Sequence, residues 1–145
     1  MEHGASSGGA TRFTVSIPEP LHRSFVAYLQ SHRYPSRSEA VRDLIRNALI
    51  EEQWQADSGD VVGTVTLVYD HHSPDLTDRL TRLQHDYHEV IISTTHVHLD
   101  HDNCLEVVVL RGASRRVREV GNALTAVRGV KHGKLVCTGS GAGLA

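Results

Sequence analysis

The residues with the most distinctive chemistry are two histidines and a cysteine that lie close together in the sequence. His96 and His98 are separated by one residue in a segment with a strand pattern, residues 90–99. Because side chains alternate between the two faces of a strand, both imidazoles should leave the same face. Cys104 follows six residues after His98, beyond a turn at residues 100–103 and at the start of the next predicted strand. Two ring nitrogens and a thiolate can therefore converge from one hairpin on a single metal ion.

This set of donors restricts the metal. Sulfur and imidazole ligands exclude magnesium and calcium in favour of nickel, copper, zinc or cobalt, and a square-planar preference would select Ni(II) or Cu(II). A fourth ligand could come from a predicted helix in which His85 and His88 lie one turn apart. Four protein ligands fill a four-coordinate site, whereas catalytic metal sites usually keep one position open. We therefore do not expect an enzyme.

The hairpin belongs to a predicted domain of six elements. Residues 61–69 are rich in β-branched side chains, as in a strand, and leucines recur at helical spacing over residues 75–88. The other predicted elements are strands over 90–99, 105–110 and 134–138 and a helix over 114–128. This β-α-β-β-α-β order is the split, ferredoxin-like arrangement, here of the ACT type. Because the same order describes small-molecule regulatory domains, the fold alone does not decide the function.

The first fifty residues have a different organisation. Residues 12–17 alternate polar and apolar side chains, which is typical of a strand with one wet and one buried face. Helices are predicted over residues 18–31 and 36–53, and Ser36 with Glu39 forms a capping-box signature at the start of the second. One strand and two helices cannot close a core, and a lone strand leaves backbone groups unpaired. The segment is therefore predicted to dimerise by pairing its strand with that of a second chain.

Such a paired ribbon would present Arg12, Thr14 and Ser16 from each chain on its exposed face. A two-stranded ribbon fits the major groove of DNA, where arginine can read guanine and hydroxyl side chains can contact bases or phosphates. All six basic residues among the first fifty are arginine, against four acidic residues. Through this strand and the sequence Ser-Arg-Ser-Glu-Ala at 36–40, the segment resembles the ribbon-helix-helix DNA-binding family. The alternative is a ribbon that only dimerises, with its polar residues facing water.

The composition of the chain limits the classes of protein to which it can belong. The chain has 145 residues, a formal charge of −2, 39% hydrophobic and 22% charged residues, which excludes a disordered chain and a membrane protein. Without a run of about 20 apolar residues or the apolar centre of a signal peptide, the expected compartment is the cytoplasm. The predicted α+β chain divides into disordered residues 1–10, a ribbon-helix-helix domain 11–53, a linker 54–60, a ferredoxin-like domain 61–138 and a flexible tail 139–145.

Three short motifs follow one another in an order similar to that of the nickel-responsive transcriptional regulators. They are Gln84-His85, His96-Val97-His98 and Cys104-Leu105-Glu106. The resemblance extends over residues 12–137 and joins both halves in the family's order. It implies a square-planar Ni(II) site formed by His96, His98 and Cys104, completed by His85 of another subunit. It also implies a homotetramer, a dimer of dimers, that binds palindromic operator DNA and represses nickel uptake genes when nickel is plentiful.

The resemblance assigns roles to four more residues. Gln84 and Glu106 would support the metal ligands through hydrogen bonds, which imidazole and thiolate ligands need; alternatively, both are surface residues. Glu39 and Asp43, four residues apart on one helical face, would hold a second cation. The alternative for this pair is a solvated face balanced by neighbouring arginines.

The remaining histidines and the second cysteine have weaker assignments. Seven of the eleven histidines lie between residues 71 and 101, and most of those outside the proposed ligand set are expected to be polar bystanders: His71, His72, His88 and His101. His71 and His101 could instead join an alternative site. Cys137 is interpreted as a small buried hydrophobic residue.

The alternative function for the whole chain is metal buffering or trafficking, in which the ribbon serves only for dimerisation.

Overall fold

The computed structural model describes residues 9–57 and 59–144. Within them the elements are α1 (Glu19–Ser31), α2 (Arg37–Gln55), β1 (Val61–Asp70), α3 (Pro74–Asp86), β2 (Ile91–His98), β3 (Asn103–Gly112), α4 (Ser114–Thr125) and β4 (Val130–Gly139). The chain divides into two compact units, with the boundary between Arg42 and Asp43, inside α2. No helix among the described residues is long and apolar enough to cross a membrane.

The first two helices lie close to their predicted positions. Pro18 precedes α1, and its fixed φ suits a first helical turn. The hydroxyl of Ser36 accepts a hydrogen bond from the backbone N–H of Glu39 at 3.2 Å, which is the expected cap of α2. Arg33 has a positive φ of 55° in the turn that separates the helices. The capping signature read from the sequence is therefore present in the structure.

The segment predicted as a ribbon forms no strand in this single chain. Residues 12–17 are exposed, and Phe13 and Val15 have 68% and 69% of their surface accessible. A strand needs a neighbour to satisfy its backbone hydrogen bonds, and the predicted neighbour is the same segment of a second chain. The ribbon itself therefore stays a prediction.

The second unit contains the predicted β-α-β-β-α-β order, which is confirmed. Its four strands form an antiparallel sheet in the order β2-β3-β1-β4. Alternate residues of β1, from Val61 to Tyr69, are buried on one face. Leu76 and Leu80 of α3 and Val117 of α4 join the same core, so both helices cover that face. The fold is ferredoxin-like, with β2 and β4 as edge strands.

Helix α2 continues two residues beyond its predicted end at residue 53. Trp54, which the sequence had placed in a linker, is 2% exposed, and its indole N–H donates to the carbonyl oxygen of Thr138 at 3.0 Å. Arg118 lies over its ring, 5.4 Å from the centroid. In the predicted tail, the carbonyl oxygen of Leu144 accepts a hydrogen bond from Arg46 at 2.9 Å. Tertiary contacts therefore hold Trp54 and Leu144 in positions where the sequence predicted a linker and a flexible tail.

Asp57 forms the cap of α4 from outside the helix. Its carboxylate accepts hydrogen bonds from the backbone N–H of Arg115 at 2.6 Å and from the hydroxyl of Ser114 at 2.8 Å. These bonds, with the backbone bond first, lower the pKa of Asp57 below its usual value. The charged carboxylate therefore stabilises the fold at neutral pH.

Replacing Asp57 by alanine should lower the stability of the protein in a pH-dependent way. Because the folded-state pKa is depressed, the stabilisation is complete above the unfolded-state pKa and is lost as the pH falls through the folded-state value. Urea unfolding at pH 7 should show a less stable variant, and the difference from the parent should shrink in acid. Asp78→Ala, at an exposed position on α3, is the matched control. A difference that did not change with pH would contradict this capping role.

Candidate metal centre

The hairpin of β2 and β3 brings His98 next to Cys104. The two residues are register partners, and His98 Nδ1 lies 3.4 Å from Cys104 Sγ. The ring of His96 is on the same side of β2, with its centroid 5.1 Å from that of His98. Cys104 is fully buried, while His96 and His98 are exposed. The hairpin thus gathers three soft donors at one end of the sheet.

His71, which lies outside the hairpin, is also close to His98 and Cys104. One ligand atom from each of these three residues lies within 4.8 Å of the other two, whereas His96 is not part of this group. The sheet explains the proximity, because β1 ends at Asp70 directly beside the start of β3 at Asn103. From the sequence, His71 is expected to be a polar bystander or, with His101, a member of an alternative site. Its position immediately after β1 was the available signal, since β1 and β3 are neighbours in a ferredoxin-like sheet.

His96 instead joins a hydrogen-bonded network around a buried carboxylate. Glu106 is 5% exposed and accepts hydrogen bonds from the hydroxyl of Tyr69 at 2.6 Å and from the side-chain amide of Gln84. The same hydroxyl lies 3.3 Å from His96 Nδ1, and Thr94 donates to the Gln84 carbonyl at 2.9 Å. Gln84 and Glu106 are therefore connected to the neighbourhood of His96. Tyr69, which no sequence motif singles out, connects the carboxylate of Glu106 to the imidazole of His96.

Burial sets the protonation of two groups at this end of the sheet. Desolvation raises the pKa of the Cys104 thiol, and the negative charges of Asp100, Asp70 and Glu106 raise it further. A metal ion that binds sulfur there must displace a proton. Desolvation and the hydrogen bond to Glu106 likewise raise the pKa of Tyr69, so its hydroxyl remains a donor at neutral pH.

The phenylalanine variant of Tyr69 tests this network. Removing the hydroxyl leaves the buried carboxylate with one donor fewer, and a hydrogen bond to a charged group is worth about 1.5–3 kcal/mol. We expect Tyr69→Phe to lose about 2 kcal/mol of unfolding free energy in urea titrations, with an unchanged circular dichroism spectrum.

Tyr87→Phe provides the control for this variant. The Tyr87 ring contacts Arg116, but its hydroxyl makes no hydrogen bond within residues 9–57 and 59–144. Its loss of stability should be much smaller. Equal losses in the two variants would show that the Tyr69 hydroxyl has no special role.

His85 lies apart from this group in the single chain. It is exposed near the end of α3, with its ring centroid 6.2 Å from that of His88. The carbonyl oxygen of His85 lies 3.1 Å from His88 Nδ1. Its place in a metal site formed with another subunit stays a prediction.

The two carboxylates predicted to hold a second cation are paired with arginines. Glu39 forms an ion pair with Arg42, and Asp43 forms one with Arg46 at 2.9 Å. These are the neighbouring arginines of the alternative interpretation. The second cation stays a prediction. Cys137, in contrast, is exposed on the edge strand β4, so its assignment as a buried hydrophobic residue was wrong.

Together, the fold and the hairpin define a class: a ferredoxin-like domain with imidazole and thiol side chains grouped where they could hold a transition metal ion. Residues 62–138 match the protein family described as the NikR C-terminal nickel-binding domain. Putative nickel-responsive regulators of Geobacter sulfurreducens and Desulfovibrio desulfuricans are 54% and 51% identical to the chain, over 92% and 95% of it and 96% and 99% of their own lengths.

The chain therefore belongs to the nickel-responsive regulator family. Its metal is nickel, and its role is regulation of transcription and not catalysis, which implies binding to DNA. Among solved structures, the ACT domain of the GTP pyrophosphokinase from Chlorobium tepidum matches 54% of this chain and all of that domain, with 13% identity and a TM-score of 0.44.

Proposed function

We propose that this protein is a cytoplasmic homotetramer that binds Ni(II), then binds a palindromic operator and represses nickel uptake genes. The observation that best supports this proposal is the geometry of the β2–β3 hairpin. It places His98 beside Cys104, and the ring centroid of His96 lies 5.1 Å from that of His98. Imidazole nitrogens and a thiolate suit Ni(II), which accepts a square-planar set of four ligands.

In this proposal the fourth ligand, His85, comes from another subunit. The exposed position of His85 on α3 supports this assignment, since its ring is accessible to a second chain. Strand β2 is an edge of the sheet, and large apolar side chains on it and just after it are exposed: Ile92 (57%), Val97 (43%) and Leu99 (51%). An exposed apolar edge suits an interface between regulatory domains.

Nickel would then act by joining elements of two chains. The helix α3 of one subunit carries His85, while the hairpin of the other carries Cys104. Within each chain, Gln84 reaches from α3 to Glu106 on β3, so the helix and the hairpin already share one hydrogen-bonded network. Binding at the shared site would favour one arrangement of the tetramer and therefore one placement of the two DNA-binding ribbons.

Mixed tetramers test the sharing of the site. The variants His85→Ala and Cys104→Ala each lack one ligand in every site, so neither homotetramer should bind nickel tightly. When the two are co-expressed, random assortment restores a complete ligand set in about one quarter of the sites, because the two ligands come from different chains. Nickel titration of the co-expressed protein should recover that fraction of tight sites. No recovery would refute a site shared between subunits.

A further inference from the structure

The end of helix α2 is held against the ferredoxin-like domain by a contact between Trp54 and Arg118. We propose that this contact, the α2 anchor, couples nickel binding to operator affinity by fixing α2 to the regulatory domain. Trp54 and Arg118 belong neither to the proposed nickel ligands nor to the predicted ribbon face, so they act as positioning residues. This inference rests on the proposed function, because it concerns how the nickel signal leaves the regulatory domain.

Helix α2 is the element through which such coupling can act. It runs from Arg37 to Gln55 and crosses the boundary between the two compact units, which lies between Arg42 and Asp43. No glycine or proline interrupts this helix, and sharp kinks in helices usually occur at such residues. A helix without a kink transmits a change of direction from one end to the other. Fixing the C-terminal end of α2 therefore affects its first residues, which belong to the first unit.

The side chain of Trp54 is held from two sides. It is 2% exposed within the core of the second unit, and its indole N–H donates to the carbonyl oxygen of Thr138 on β4 at 3.0 Å. The guanidinium of Arg118 on α4 lies over the ring, 5.4 Å from its centroid, which is within the range of a cation–π interaction. Trp54 is therefore fixed both by the edge strand and by a helix that packs on the sheet.

The end of α2 and the start of α4 also satisfy unpaired backbone groups of each other. The carbonyl oxygen of Trp54, in the last turn of α2, accepts a hydrogen bond from Arg118 at 3.3 Å, and the hydroxyl of Ser114 lies 3.1 Å from it. At the start of α4, the carboxylate of Asp57 accepts a hydrogen bond from the backbone N–H of Arg115. Both charges suit their positions, since a cation stabilises the C-terminus of a helix and an anion stabilises the N-terminus. The two helix ends therefore hold each other in place.

Contacts further along α2 extend the anchor. A Cβ atom placed on Gly139 would come within 3.3 Å of Ile50, so α2 lies directly against the end of β4. Arg46 donates to the carbonyl oxygen of Leu144, beyond that strand, at 2.9 Å. We expect residues 46–54 to move with the ferredoxin-like domain whether or not nickel is bound. The anchor therefore stays closed while the regulatory domain rearranges, and α2 moves with that domain.

Arg118→Met in the full-length protein tests the coupling. Methionine keeps an apolar chain beside Trp54 but removes the hydrogen bond to its carbonyl oxygen and the cation over its ring. Fluorescence anisotropy with DNA from upstream of the nearest metal-transport genes gives the ratio of operator affinities with and without Ni(II). We expect this ratio to fall by about tenfold, since couplings between sites are typically about 5–150-fold, while the affinity for Ni(II) stays at the parent level.

Arg116→Met is the matched control, because it removes another arginine of α4 that lies over an aromatic ring. The guanidinium of Arg116 is 4.7 Å from the centroid of Tyr87 and forms an ion pair with Glu89. The variant therefore loses the same charge and a similar contact, but away from α2. Its ratio of operator affinities should equal that of the parent. Equal losses in both variants would overturn the anchor, because they would show a general effect of charge or stability.

Trp54→Phe is a second, milder variant of the anchor. It keeps an aromatic ring in the core but removes the indole N–H, so the ratio should fall while the circular dichroism spectrum stays parent-like. If Arg118→Met and Trp54→Phe both keep the parent ratio, this inference fails and the proposed function stands. If operator binding by the parent does not depend on nickel, the proposed function fails, and the coupling fails with it.

Trp54 is the only tryptophan of the chain, so its fluorescence reports the state of the anchor directly. Because the side chain is buried, acrylamide should quench the fluorescence of the parent weakly, with the same Stern–Volmer constant before and after addition of Ni(II). Arg118→Met should raise this constant, and Arg116→Met should not. A constant that rises in the parent when Ni(II) is added would show that the anchor opens, and would overturn this inference.

Discussion

Replacing Cys104 by alanine should abolish the nickel–thiolate charge-transfer absorption and reduce Ni(II) affinity by at least about 100-fold. Cys104 is the buried one of the two cysteines, and it lies 3.4 Å from His98 Nδ1. Its thiolate is the only anionic soft donor in the proposed nickel ligand set. Without it, the histidines that remain cannot supply the sulfur-to-metal transition. Absorption spectroscopy during a nickel titration measures both effects.

The second cysteine provides the control for this experiment. Cys137 is exposed on β4, away from the hairpin in the sheet order, so Cys137→Ala should keep the absorption and the affinity. The apo forms of both variants should give parent-like circular dichroism spectra, which separates loss of a ligand from loss of the fold. A parent-like nickel spectrum in Cys104→Ala would refute the site.

Replacing Arg12 by alanine should weaken operator binding strongly while leaving nickel binding intact. A bidentate hydrogen-bonded pair of arginine and guanine is worth about 1–3 kcal/mol, so the loss of one such pair should weaken binding by roughly 5–150-fold. The substitution acts twice in every dimer, because each chain supplies one Arg12. Fluorescence anisotropy with DNA from upstream of the nearest metal-transport genes, with and without Ni(II), measures the effect.

Arg23→Ala is a suitable comparison for Arg12→Ala. Arg23 is an exposed arginine on α1 that pairs only weakly with Glu19, at 4.0 Å, so the variant removes the same charge outside the predicted ribbon. Its operator affinity should change much less. Thr14 and Ser16 are expected on the same face of the ribbon as Arg12, and their alanine variants should show smaller losses. A parent protein without nickel-dependent DNA binding would instead favour metal buffering or trafficking.

The fold of the second unit was predictable from local sequence patterns. The order of its six elements, and the pairing of β2 with β3, were readable from periodicity and from the short turn between them. Element ends were less well predicted, because they depend on contacts made elsewhere in the fold. Helix α2 continues to Gln55 because Trp54 packs into the core of the second unit. No sequence pattern near residue 54 predicts that contact.

By itself, the sequence determined which residues could bind a metal and that His96 and His98 leave one face of a strand beside Cys104. These properties depend on alternation along one strand and on a turn of a few residues, so they are local. Only the tertiary structure decided that His71 lies against His98 and Cys104, that Tyr69 joins Glu106 to His96, and that Cys137 is exposed. Each of these depends on which strands become neighbours and which are edges, and that order is set by packing of the whole sheet against its helices.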